Sequence, residues 1–242
     1  MRTVPAAAVP AVTAEQMREV DRVATQELQI GLIQMMENAG RSLADLAISV
    51  FRPESVTVLA GRGGNGGGGL VAARHLANRG VTPRVVLSRP DAELADVPAH
   101  QLEIARRIGV EVGAEPPAAG LVIDALIGYS LRGDPRGRSA ELIAWANQQQ
   151  SPVLALDLPS GLDATIGRPA TPCIHAAATL ALGLPKAGLS KAPELTGRLY
   201  LADISVPPAV YRRLGIRAPL VFEHDTILEL TWSNSHSPSA GQ

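Results

Sequence analysis

Three polar constellations in this sequence have the composition to carry chemistry. The first is the run Gly61–Gly69, where seven of nine residues are glycine and Asn65 is the single side chain with acceptor capacity. The second is Asp124, which closes the apolar stretch Leu121–Asp124 and precedes Ala-Leu-Ile-Gly128 and a polar loop, Tyr129–Arg138. The third is Asp157 with Ser160, in an Asp-Leu-Pro-Ser-Gly turn after Val153–Leu156. Glycine admits positive φ and lets a ligand approach the main chain without Cβ interference. A helix starting behind such a run presents free N–H groups and the positive end of its dipole, which suits an anion, most often a phosphate. Two carboxylates and an amide above one sheet can exchange protons or hold a cation through oxygen ligands. The plainer alternatives are that the glycines pack a helix against a strand and that each aspartate caps the turn after its strand.

The elements that must position these residues are readable from periodicity. Thr13 followed by Glu15 and Gln16 marks a helix start, continued by Met17, Val20, Val23 and Ala24. Leu32, Met36, Ala39, Leu43, Leu46, Ala47 and Val50 follow helical spacing. Alternating units come next: strand Val56–Leu59 with helix Leu70–Arg79, strand Arg84–Leu87 with helix Pro98–Ile108, and strand Leu121–Asp124 with helix Ser139–Gln149. Strand Val153–Leu156 and the apolar runs Ala178–Leu182 and Leu199–Ile204 complete the series. Short buried strands alternating with helices predict a mostly parallel sheet covered on both faces. In such sheets ligands bind beyond the carboxyl ends of the strands, where all three constellations fall. Residues 1–12, interrupted by two prolines, read as a flexible arm, and the polar tail 233–242 reads as disordered.

Composition narrows the function classes. A chain of 242 residues can bury the core of one large α/β domain. A net charge of −1 and 3% aromatics exclude the basic, stacking surface of a nucleic-acid binder. Single Cys173 rules out an intramolecular disulfide and a cysteine-rich zinc site, and fits a small buried hydrophobe. No segment reaches the apolar length of a membrane span, so a cytoplasmic protein without membrane partners is expected. The five histidines, at 75, 100, 175, 224 and 236, form no metal spacing. Gly61-Arg-Gly-Gly-Asn-Gly66 formally fits the dinucleotide fingerprint, but the acidic residue expected at the end of the next strand is absent, and no Gly-Lys-Ser/Thr completes a P-loop.

Five ordered blocks converge on one family. They are Met35-Met-Glu-Asn-Ala-Gly-Arg41, Leu59-Ala-Gly-Arg-Gly-Gly-Asn-Gly-Gly-Gly-Gly-Leu-Val-Ala-Ala-Arg-His75, Val122-Ile-Asp-Ala-Leu-Ile-Gly128, Ala155-Leu-Asp-Leu-Pro-Ser-Gly-Leu-Asp163 and Leu182-Gly-Leu-Pro-Lys-Ala-Gly188. Along residues 13–230 the chain resembles the NAD(P)H-hydrate epimerases, the YjeF N-terminal domain family. The resemblance implies a three-layer α/β/α Rossmann-like domain, a homodimer, and a potassium ion near the substrate. It further implies interconversion of the R and S forms of NADH or NADPH hydrated at C6 of the nicotinamide, feeding a separate S-specific dehydratase. On that resemblance Asp157 is the acid/base, and Asn65, Asp124 and Ser160 give oxygens to potassium. Gly64, Asn65, Gly66, Gly67 and Gly68 meet the substrate, together with Asp157 and the loop Gly128, Tyr129, Ser130, Leu131, Arg132, Gly133 and Asp134.

The chain departs from the family pattern inside the site. Where the pattern reads Asn-Asn-Gly-Gly-Asp-Gly, this chain has Gly64-Asn65-Gly66-Gly67-Gly68-Gly69, so Gly64 and Gly68 replace an Asn and an Asp. Arg62, where proline is common, and Arg132, Arg136 and Arg138 are candidate phosphate ligands, since guanidinium matches phosphate bidentately. Asn38 lies on a polar stripe with Gln34, Arg41 and Asp45, and the resemblance raises the prospect that it looks into the cleft. The sequence ends too soon to carry a fused dehydratase domain, which is why that partner is expected as a separate protein. Two other functions stay open at this stage: a non-catalytic or altered-ligand nucleotide-binding scaffold, favoured by Gly64 and Gly68, and a nicotinamide-dependent oxidoreductase, favoured by the formal fingerprint.

Overall fold

Nine strands form one sheet in the computed structural model, which describes residues 1–232. They are β1 (Arg2–Pro5), β2 (Ser55–Ala60), β3 (Thr82–Leu87), β4 (Glu111–Gly113), β5 (Leu121–Ala125), β6 (Val153–Leu156), β7 (Ala178–Leu182), β8 (Arg198–Ala202) and β9 (Ile227–Thr231). The order is β1-β9-β8-β7-β6-β5-β2-β3-β4, and every pairing is parallel except β8 with β9. The helices are α1 (Ala14–Arg22), α2 (Leu32–Leu46), α3 (Gly64–Ala77), α4 (Asp96–Arg107), α5 (Arg138–Gln148), α6 (Pro193–Thr196) and α7 (Pro208–Arg213).

Alternation along the strands divides the core. Val56, Val58 and Ala60 of β2, with Leu121 and Ile123 of β5, pack under α2, α3 and α4. Leu59 and Val122 turn to the other face, against Leu142, Ile143 and Ala146 of α5. Period-two alternation thus gives both layers their apolar surface and produces the expected α/β/α sandwich. A third cluster joins α1, α7 and the β8–β9 end of the sheet. Chain order reverses beside β2, whose neighbours are β3 on one side and β5 on the other. Such a reversal opens a crevice at the strands' carboxyl ends.

Two expectations need correction. Helix α3 begins at Gly64, not Leu70, so most of the glycine run is its first two turns. The reason is close packing. A Cβ on Gly66 would lie 1.8 Å from the Gly61 carbonyl oxygen, on Gly67 2.5 Å from Met36 Sδ, on Gly68 2.7 Å from Leu156 Cδ2, and on Gly69 2.6 Å from Ala125 Cβ. The N-terminal stretch, expected as a flexible arm, supplies strand β1 along β9 and buries Val9 and Val12. The Val12 amide donates to Pro185 O, and Ala187 N donates to Val12 O, so the arm clamps the segment holding Lys186. The tail 233–242 lies outside the described residues.

Candidate functional site

The carboxyl ends of β2, β5 and β6 open onto a cleft of about 1300 Å³. That exceeds the ~300–1,000 Å³ usual for drug-sized ligands and suits a larger molecule. Its walls come from separate elements: α1 (Met17, Asp21), the start of α3 (Gly63, Gly64, Asn65, Gly68), the loop after β5 (Gly128–Arg132, Asp134), the end of β6 (Asp157), and the turn after β7 (Lys186).

Asp157 is 3% exposed and sits at φ 72°. A non-glycine residue in that left-handed region is uncommon, aspartate tolerating it better than most, and such conformations gather at functional sites. Its amide donates to Leu180 O at 2.8 Å, and Pro159 follows two residues on, so the backbone is fixed while the carboxylate faces the cleft. The Asp157 carboxylate is ion-paired with Lys186 Nζ, in a pair whose side chains are 5% and 1% exposed. The ammonium also donates to Leu182 O at 3.0 Å and Leu184 O at 3.3 Å, and lies 5.9 Å from the Tyr129 ring centroid. Lys186 received no role from the sequence, although a lysine amid Gly-Leu-Pro-Lys-Ala-Gly is itself a signal that an apolar segment must pair a charge.

Gly128 marks a second convergence. A Cβ there would stand 3.5 Å from Asn65 Oδ1 and 3.5 Å from Asp157 Oδ2, so the amide and the carboxylate approach the same point. Among the described residues, Asn65 Nδ2 is buried without a hydrogen-bond partner. Ahead of it the first turn of α3 has no side-chain cap at Gly63, which leaves its N–H groups free toward the cleft.

Asp124 and Ser160 are fully buried and meet beneath the cleft rather than in its lining. Asp124 Oδ2 accepts from the Ser160 amide at 2.7 Å, and Oδ1 from Ser160 Oγ at 2.6 Å and Leu126 N at 3.2 Å. Burial pushes the Asp124 carboxyl up to about 6 against the pull of these donors. Ser160 Oγ in turn accepts from Ile127 N at 2.8 Å, tying β5 to β6.

The structure separates the remaining candidates. Gly64, Asn65, Gly68, Gly128, Tyr129, Ser130, Leu131, Arg132 and Asp134 line the cleft, whereas Gly66 and Gly67 are spent on packing and Gly133 lies outside the lining. Arg62, Arg89, Arg132 and Arg136 contribute a cationic wall. Arg138 instead pairs with Glu115 at 3.2 Å and Glu141 at 3.1 Å. Asn38 is absent from the lining and accepts from Arg41 at 3.0 Å. His75, in the last turn of α3, pairs with Glu37 at 2.7 Å. Asp21 was not anticipated: the Thr13–Gln16 capping box starts α1 so that Met17 and Asp21, four residues apart, share the cleft-facing stripe. Cys173 is buried as a small hydrophobe. Among the described residues, no three His, Cys, Asp or Glu side chains form a metal cluster, and no helix is long and apolar enough to cross a membrane.

The chain is similar to known proteins along most of its length. A protein named NAD(P)H-hydrate epimerase from Dehalogenimonas lykanthroporepellens is 47% identical over 218 residues, covering 87% of this chain and 88% of its own length. Another of that name, from Truepera radiovictrix, is 37% identical across 84% of this chain and 94% of itself. A bifunctional NAD(P)H-hydrate repair enzyme from Moorella thermoacetica is 38% identical, and the match takes up 40% of its length. The crystal structure of yeast ynu0 superposes with a TM-score of 0.81 at 25% identity, covering 92% of this chain and all of that one. The profile of the family described as YjeF-related protein N-terminus matches residues 32–188, and the chain belongs to that family.

Proposed function

We propose that this protein is an epimerase of hydrated NADH and NADPH, an isomerase that interconverts the R and S forms at C6 of the nicotinamide. One observation carries the reading: a fixed carboxylate, Asp157, faces a dinucleotide-sized cleft that also receives the uncapped N-terminus of α3. The relatives that cover this chain and are covered by it carry the epimerase name.

The hydrate's reactive carbon bears a hydroxyl beside the ring nitrogen. Loss of water leaves a cation stabilised by that nitrogen, and return of water on the opposite face inverts the centre. Asp157 exchanges a proton on the face it lines, a role worth about 10²–10⁴ in rate. Lys186 offsets the charge that burial would otherwise make costly and keeps the carboxylate from swinging away. The free N–H groups of Gly64 and Asn65, with Arg132 and Arg136, receive the pyrophosphate. Tyr129, Ser130, Leu131 and Asp134 wall the nicotinamide side. Gly64 and Gly68 leave Asp157 and Lys186 untouched, so they weaken the hold on substrate without removing the chemistry.

Asn65, Asp124 and Ser160 present oxygen donors only, which suit a hard, weakly charged cation such as potassium better than zinc. The donor set fits in type: among the described residues Asp124 Oδ2 accepts a single hydrogen bond, which leaves it a lone pair for a cation. Bound there, potassium would supply a fixed positive charge near the substrate; Asn65, Asp124 and Ser160 would hold it. We further propose a cytoplasmic homodimer acting before a separate S-specific dehydratase. The bifunctional relatives support a coupling of two repair activities. Conversion of purified R-hydrate to S, read by an S-specific dehydratase, tests the function; no conversion above the spontaneous rate refutes it.

A further inference from the structure

Asp157 does not have the freedom to serve both faces of a planar intermediate. Its backbone is locked at φ 72°, its carboxylate is paired with Lys186, and Lys186 is itself anchored to two carbonyls. Inversion at a carbon that loses and regains oxygen needs a proton delivered on one face and a proton removed on the other. A second carboxyl does reach the same cleft. Asp21, from α1, accepts a hydrogen bond from the hydroxyl of Tyr129, and Tyr129 lies on the loop after β5 beside Lys186. The other carboxylates of the lining, Glu93 and Asp134, are exposed, Glu93 beside Arg89 and Asp134 accepting from the Thr171 amide.

We propose that Asp21, held by Tyr129, is a second acid–base residue of the cleft and serves the face of the nicotinamide that Asp157 does not. The inference rests on the epimerase reading above. In one direction the protonated carboxyl gives its proton to the C6 hydroxyl. The C–O bond breaks with its electron pair on departing water, and the ring-nitrogen lone pair forms the C=N bond. Water on the opposite face then bonds to C6, its proton passes to the second carboxylate, and the C=N pair returns to nitrogen. The two carboxyls have exchanged protonation states, and solvent resets them. Burial raises the Asp21 carboxyl above its ordinary range, against the Tyr129 hydrogen bond and the Lys186 charge, which favours a proton-carrying group.

The test is oxygen-18 exchange at C6, followed separately for each purified epimer in labelled water with wild type, Asp21→Asn, Asp157→Asn and Tyr129→Phe. Asp21→Asn should lose at least about 100-fold in epimerisation yet still exchange label into one epimer with retention. Asp157→Asn should do the same for the other epimer. A merely structural Asp21 would not split the epimers in this way. Asp21→Asn epimerising like wild type, or a folded Asp21→Asn that exchanges label into neither epimer, overturns the proposal. Should Asp21→Asn not fold, Tyr129→Phe must lower kcat about tenfold, the equivalent of one lost hydrogen bond, with KM little changed; wild-type turnover there overturns it. Wild type that fails to epimerise at all refutes the epimerase reading itself, a different result from an active wild type with an unimpaired Asp21→Asn.

Discussion

Lys186→Met is the perturbation whose size the structure sets most directly. Methionine keeps the length of the aliphatic stem and removes the ammonium. Three contacts disappear with it: the ion pair to Asp157 and the hydrogen bonds to Leu182 O and Leu184 O. Because both charged side chains are almost wholly buried, at 1% and 5% exposure, water does not replace the lost partner. Breaking a buried pair by removing one member costs about 3–5 kcal/mol. For a chain of this size, each kcal/mol moves Tm by roughly 2–4 °C, so the variant should melt roughly 6–20 °C below wild type. Adding Asp157→Asn removes the stranded charge while the two carbonyls stay without donors, at about 1 kcal/mol each. The double variant should therefore recover about 1–3 kcal/mol of the loss. Calorimetric or urea melts of the two variants beside wild type measure this. A Lys186→Met variant melting within about 3 °C of wild type, or a double variant no more stable than the single, would refute the view that a dry ion pair fixes Asp157.

Asp157→Asn, nearly isosteric, should still fold, though less stably because it leaves the Lys186 ammonium unpaired, and reduce epimerisation by at least about 100-fold; wild-type turnover would make Asp157 structural. The two glycines that depart from the family pattern should behave differently. Gly64 faces open space, so Gly64→Asn should fold and tighten hydrate binding by about 0.5–1.5 kcal/mol. Gly68 is helical, and its new Cβ would press on Leu156, so Gly68→Asp should cost about 1–3 kcal/mol in a melt; equal stability for both variants would refute the packing argument. Asp124, raised from 3.8 to about 6 by burial, contributes stability fully present below pH 3.8 and lost as pH rises through about 6. At ~1.4 kcal/mol per pH unit that is on the order of 3 kcal/mol. Urea melts at pH 4 and pH 7 should show the loss in choline chloride and less of it in potassium chloride; identical curves in the two salts would remove potassium from the Asp124–Ser160 site.

Periodicity and local chemistry were enough to locate the α/β/α sandwich. Leu32 to Val50 announced α2, the Thr13–Gln16 box announced α1, and short apolar runs announced β2, β3, β5, β6, β7 and β8 within a residue or two. These signals are legible because burial of one helical stripe, or of a strand between two helical layers, dictates residue type at fixed spacing. The aspartates ending β5 and β6 were legible for the same reason, since a carboxylate there interrupts an otherwise apolar run.

What the sequence by itself left undetermined depends on contacts between distant segments. The short edge strand β4, the edge strand β1 and its neighbour β9 carry too little pattern to stand out; in the described chain β1 becomes a strand by pairing with β9, more than 200 residues away, and β4 by pairing with β3. Glycine admits loop and helix alike, so only the neighbours Gly61, Met36, Leu156 and Ala125 decided that Gly64–Gly69 coils tightly against the sheet. Tertiary folding alone brought Lys186 to Asp157 and Asp21 to Tyr129, and sank Asp124 and Ser160 beneath the cleft. Residue type records what a side chain can do, whereas its charge state and reach are set by which distant groups share its dry surroundings.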